Sequence, residues 1–164
     1  MRRGRPAENA LVIAFDLSLL PDETICHRDI HVRLGEWEQI EDSYYLMLDP
    51  AIAEESKPKS RLILGRLLQN WVASLRSLPD WGTVFLAFGF SDQCTSWLRV
   101  DRSGQRALLS VGWSCVEGWT FHPSQPEACR RELRNWRRSS STVEADLADF
   151  IAAIKAIRAR EAGS

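Results

Sequence analysis

The stretch Trp81–Phe121 reads WGTVFLAFGF-SDQCTSWLRV-DRSGQRALLS-VGWSCVEGWT-F, and it decides the fold. Four of the seven tryptophans lie in it, together with the longest apolar run. Thr83 to Phe90 is apolar on both alternating faces: Val84, Leu86, Phe88 and Phe90 on one, Phe85, Ala87 and Gly89 on the other. A strand buried on both sides reads this way. A helix fits less well, because the run is short, aromatic and punctuated by Gly82 and Gly89. Ser96–Asp101 and Gln105–Trp113 then alternate apolar with polar residues around Arg102-Ser103-Gly104. Gly104 can take the positive φ that a tight turn requires, so these two runs predict a hairpin. A further strand is expected over Glu117–Phe121, giving an antiparallel meander.

Working outward, the 164 residues fit one domain, and 45% hydrophobic content supplies a core. The net charge of −1 gives no global field that favours nucleic acid or an anionic membrane. The charge is segregated. Ala7–Lys59 holds 12 acidic residues against 4 basic, and Ser60–Ser164 holds 10 against 14. Such asymmetry can mark a surface for a charged partner or reflect ordinary solvated strand faces. Cys26, Cys94, Cys115 and Cys129 form no CxxC pair and match no zinc module. LVIAFDLSLL is short and broken by Asp16, so neither a signal peptide nor a membrane span is expected. A cytoplasmic protein with reduced thiols follows, and all four cysteines are expected to be buried and structural.

In chain order, residues 1–9 read as a disordered arginine-bearing tail, and 10–161 as one α+β domain. Strands are expected over Leu11–Leu17 and Ile30–Leu34, continuing over Trp37–Ile40 past a bulge at Gly35, and again over Ser43–Leu48. Asp49-Pro50 resembles an N-cap followed by the first helical position, with a short helix through Glu55. Leu64, Leu67, Leu68, Trp71, Val72, Leu75 and Leu78 recur at helical spacing, which predicts a helix over 61–78. Ser124-x-x-Glu127 and Ser141-x-x-Glu144 read as capping boxes, opening helices over 125–137 and 142–160. An antiparallel sheet of roughly six strands, with these helices packed on it, is the expected architecture.

No motif carries a mechanism: GxGxxG, the Walker sequence and HExxH are all missing. Cys26, His27 and His31 lie close in sequence, but a four-residue spacing brings histidines together on a helix and not on a strand. No metal and no cofactor are therefore expected. A hydrolase would have to use His122 with Glu117 and Asp92, without any recognised nucleophile beside them. On a helix Arg130, Arg134, Arg137 and Arg138 would form one ridge beside Trp136, suited to phosphates or to solvent. The low net charge disfavours nucleic acid. The chain is read as a protein that is not an enzyme.

Two segments, FGFSDQCTSWLRV (Phe88–Val100) and GWSCVEGWTFHPSQ (Gly112–Gln125), resemble the small Trp-rich α+β immunity proteins that bacteria encode beside polymorphic toxins. The resemblance implies a soluble single domain that binds one cognate toxin and blocks it without chemistry of its own. Toxins that attack nucleic acid are commonly basic, so a neutralising partner gains on-rate from an acidic patch. Glu36, Glu38, Glu41 and Asp42 surround Trp37, with Tyr44 and Tyr45 following, and carboxylates around an aromatic anchor suit a hot spot. Trp97, with Arg99 and Asp101 on an expected outward hairpin face, is a second candidate patch. The competing reading of Trp37 is a core residue with solvated acids around it.

Overall fold

The computed structural model describes residues 15–20, 28–56 and 58–163, which form one α+β domain with two antiparallel sheets. The 1–9 tail and the start of the first expected strand lie outside the described residues.

The smaller sheet is a meander of β1 (Phe15–Leu19), β2 (Ile30–Leu34) and β3 (Trp37–Glu41). Gly35, at φ +60°, makes the turn between β2 and β3, so this turn separates two strands rather than bulging one. Phe15, Leu17, Leu19, Ile30, Val32 and Leu34 are buried on its inner side, as a period of two dictates. The outer side carries Asp16, Arg33 and Glu38 in one cross-strand row, and Ser18, His31 and Ile40 in the next.

The expected strand over Ser43–Leu48 is instead a short helix, α1 (Tyr44–Leu48). Side chains before it override the β propensity of YYLML. Asp42 Oδ1 accepts the Tyr44 N–H at 2.7 Å, and buried Asp29 accepts both the N–H and the hydroxyl of Ser43. Asp49 ends this helix rather than starting another, and no helix follows through Glu55. The next helix, α2 (Lys59–Arg76), begins and ends two residues before the predicted span. It buries Ile63, Leu64, Leu67, Leu68, Trp71, Val72 and Leu75. Its Trp71 indole donates to the Ala87 carbonyl at 3.2 Å.

The larger sheet is built on β4 (Thr83–Phe90), β5 (Thr95–Ser103) and β6 (Arg106–Ser114). The predicted hairpin is present and longer than expected, with Ser103↔Arg106 as its last pair and Gly104 at φ +61°. One face of this sheet, with Val84, Leu86, Leu98, Val100, Leu109 and Val111, is fully buried. Burial of so many branched side chains is the main stabilising term.

Downstream of the hairpin the sequence reading fails three times. Glu117–Phe121 is turn and bend, with the Thr120 N–H bonded to the Glu117 carbonyl. The helix expected over 125–137 is a single 3-10 turn, Pro126–Ala128, followed by β7 (Cys129–Arg130) and β8 (Arg137–Arg138). The open edges of β4 and β6 decide this. Cys129 and Arg130 pair with Leu86 and Phe85, while Arg137 and Arg138 pair with Trp113 and Gly112. Asn135, at φ 57°, breaks any helical continuation. Finally, Val143–Asp146 is a strand, β9, on the remaining edge of β6. The last helix, α3 (Leu147–Ala162), therefore starts later than 142. Its cap is Asp146, whose carboxylate accepts from the N–H groups of Ala148 and Asp149.

At its far end α3 is pinned to the smaller sheet. Glu161 is buried, pairs with Arg61 at 2.7 Å and accepts the Leu19 N–H, while Arg160 bonds to Asp16. No described helix is long and apolar enough to cross a membrane.

Candidate functional site

The acidic segment does not form one patch, because β3 alternates. Trp37, Gln39 and Glu41 turn inward, and Glu38 and Ile40 turn outward. Trp37 is half-buried and meets the edge of Phe88 at 6.4 Å and 72°. Its role is largely core. Glu38 is exposed, sits across from Arg33, and bonds to His31 Nε2 at 2.5 Å. Glu36 is exposed in the β2–β3 turn.

Glu41 is the acid that the sequence reading misplaced most. Its carboxylate reaches under the sheet, accepts the Ser96 hydroxyl at 2.6 Å and also bonds to Gln39. It fits there because Gly89 has no side chain: a Cβ at Gly89 would stand inside contact distance of the Glu41 carboxyl. Burial pushes the Glu41 pKa up, the two hydrogen bonds oppose that shift, and Asp42 adds to it.

Asp42 is half-buried at the start of α1, and Tyr44 is exposed, edge-on to Tyr45 at 5.5 Å. The Tyr45 hydroxyl donates to Asp92, and burial together with that carboxylate pushes its pKa up to about 12. The large apolar side chains left exposed in this segment are Ile40, Tyr44 and Leu48, at 43%, 43% and 47%. Ile40 and Leu48 were missed from sequence. The alternation of β3 would have found Ile40, but Leu48 needed the change from strand to helix.

The second candidate patch also changes character. Trp97 is fully buried, donates to Ser114 Oγ at 3.0 Å and stacks on Phe121 at 5.7 Å. It does not face outward, because the segment from Phe121 to Trp136 crosses that side of the larger sheet. Arg99 and Asp101 are half-buried and paired at 2.8 Å, and Thr83 adds a 2.6 Å bond to Asp101. The Arg99 guanidinium lies over the rings of Phe85 and Trp136, at 5.7 and 5.4 Å.

The arginine ridge is dispersed. Arg130 lies over Trp97 and Phe121, and Arg137 lies over Trp113. Arg131 reaches Ser77, and Arg138 reaches Thr142. Without a helix there is no shared face along 130–138. Desolvation holds the Arg130 pKa below its ordinary value, against the opposing pull of Glu127.

Asp92, Glu117 and His122 are not joined by any hydrogen bond or ion pair among the described residues. Asp92 is engaged by Tyr45, and the His122 main chain by Gln125. Of the histidine–cysteine cluster, Cys26 and His27 lie outside the described residues. Among those described, no three His, Cys, Asp or Glu side chains are grouped to hold a metal ion.

Two features emerge only in three dimensions. Asp49, fully buried, accepts from the N–H and hydroxyl of Ser124 at 2.8 and 2.9 Å and from the Ala51 N–H at 2.9 Å. Ser124 thus ties two distant loops rather than capping a helix. A groove of about 470 Å³ opens beside β5 and β6, lined by Gln39, Cys94, Ser96, Trp113, Cys115 and Ser139 among others. A scan against protein-family models and a search of curated proteins each found no match to this chain.

Proposed function

We propose that this protein is a non-enzymatic, protein-binding inhibitor: an immunity protein that neutralises a cognate bacterial toxin in the cytoplasm. The observation that carries this reading is the run of exposed acidic and apolar side chains along the β2–β3 turn, the outer side of β3 and α1, which we take as one rim. There Glu36 and Glu38 are exposed, and so are Ile40, Tyr44 and Leu48. Carboxylates beside exposed aliphatic and aromatic side chains suit a basic protein partner: the charges steer encounter and the apolar groups hold the complex. The acids that remain on this rim are Glu36, Glu38 and Asp42. Glu41, Trp37 and Trp97 support the fold behind it, and Arg99 and Asp101 belong to a paired layer on the other sheet.

The test is co-expression with the product of the adjacent gene in the source genome, scored for growth and for co-purification. Glu36→Lys/Glu38→Lys together should lower association tenfold or more and steepen its loss at low salt, while Ile40→Asp/Tyr44→Ala should speed dissociation. Glu41 is left unchanged, because its replacement would report on folding. A neighbour that is not toxic, or protection untouched by both double variants, removes this reading.

A further inference from the structure

We propose that Cys94 and Cys115 are a cross-strand dithiol that closes to a reversible disulfide at the mouth of the β5–β6 groove. The ladder between β5 and β6 runs in register from Ser103↔Arg106 to Thr95↔Ser114. One step further places Cys94 opposite Cys115. Period-two alternation puts both thiols on the side that carries Ser96 and Trp113, and all four residues line the same groove. The backbones stay together past the last ladder pair. Thr95 Oγ1 donates to the Val116 carbonyl at 2.6 Å, and the Gly118 N–H donates to the Ser91 carbonyl at 2.7 Å. The two cysteines therefore lie between a ladder pair and a second clamp. Residues directly opposite on antiparallel strands have Cα atoms about 4.5 or 5.5 Å apart, both within the span a disulfide bridges. Gly118 has no room for a side chain against Ser91, which fixes this approach.

Accessibility departs from the expectation of four buried cysteines and fits the chemistry. Cys115 is exposed and Cys94 half-buried, and both are free thiols. The oxidant is a small disulfide such as oxidised glutathione. The Cys115 thiolate attacks one of its sulfurs, releasing one glutathione thiolate and leaving a mixed disulfide. The Cys94 thiolate then attacks Cys115 Sγ and releases the second glutathione. Two electrons and two protons pass to glutathione, and thiols reverse both steps. Cys129 is excluded from this exchange: it is half-buried on β7 and does not line the groove, and desolvation of its thiol pushes the pKa up to about 11. A closed disulfide would span the strands next to the Ser96↔Trp113 pair, so oxidation would alter what the groove admits.

The experiment treats the folded full-length protein, in a Cys26→Ser background, with oxidised glutathione, followed by non-reducing peptide mapping and thermal melts. The expected product is a Cys94–Cys115 crosslink with no retained glutathione, and a melting midpoint roughly 5–10 °C higher, returning on reduction. Cys94→Ser should stop at the mixed disulfide on Cys115, which separates exchange from nonspecific oxidation. Glutathione retained on both cysteines without a crosslink would overturn the proposal. So would a crosslink of either to Cys129.

Discussion

The Glu41 carboxyl group occupies the space that a side chain on Gly89 would fill, with Ser96 as its hydrogen-bond donor. This contact joins the edge strand of the smaller sheet to the centre of the larger one. It converts a glycine in an otherwise apolar strand into a receptor for a buried acid. Gly89→Ala should therefore destabilise the fold by about 1–3 kcal/mol, as overpacking does. In chemical denaturation the double variant with Glu41→Ala should lose less than the two single losses added. Strict additivity would show that the two residues do not share this space.

The raised pKa of Glu41 gives a signed pH dependence. Its folded-state value lies above the ordinary 4.5, so the folded state holds this proton more tightly than the unfolded state. Its contribution to stability is fully present below 4.5 and falls as pH rises through the shifted value. Glu41→Gln, which stays neutral, should compare progressively better with the native protein as pH rises above 4.5. Thermal melts across that interval decide the point, and a stability difference that ignores pH would refute it.

Trp97 is a core residue and should behave as one. Trp97→Ala should cost about 3–5 kcal/mol, because a fully buried indole leaves a large cavity and orphans the Ser114 hydroxyl. Near-UV circular dichroism should lose the signal of the stacked Trp97–Phe121 pair. A well-folded, equally stable Trp97→Ala protein would return this residue to the surface.

Asp49 should matter more than its loop position suggests. Three donors converge on its buried carboxylate, and hydrogen bonds to a charged group are worth about 1.5–3 kcal/mol each. Asp49→Ala should cost at least about 2 kcal/mol. Amide exchange should quicken at Ser124 before it does in β4 or β5. Uniform exchange across the chain would count against this local tie.

Trp81 points the other way. It is 81% exposed and holds a left-handed backbone at φ 63°. That conformation costs a non-glycine residue about 1–2 kcal/mol, which glycine avoids at a small entropic cost. Trp81→Gly should leave stability within about 1 kcal/mol of the native value or raise it. A larger loss in a denaturant titration would mean that the indole packs in solution.

The α+β class, the central hairpin and α2 are legible in the residues alone. Each is written in local periodicity: the two-sided apolar run of Thr83–Phe90, the alternation on either side of Gly104, and the helical spacing from Leu64 to Leu75. Those patterns survive because the core they face is unavoidable. The region from Ser124 to Asp146 was decided elsewhere. Its capping boxes and apolar spacing favour helix, but the open edges of β4 and β6 offered strand partners, and ladder bonds outweighed weak helical preference. The candidate site depended on the same kind of information. Glu36, Glu38, Glu41 and Asp42 are neighbours in sequence and read as one patch. A period of two sent Glu41 inward, and only the gap over Gly89, 48 residues away, made a buried carboxyl possible there. Which acids stay at the surface is set by what lies behind each strand, and that is a property of the packed sheets, not of the segment that carries the acids.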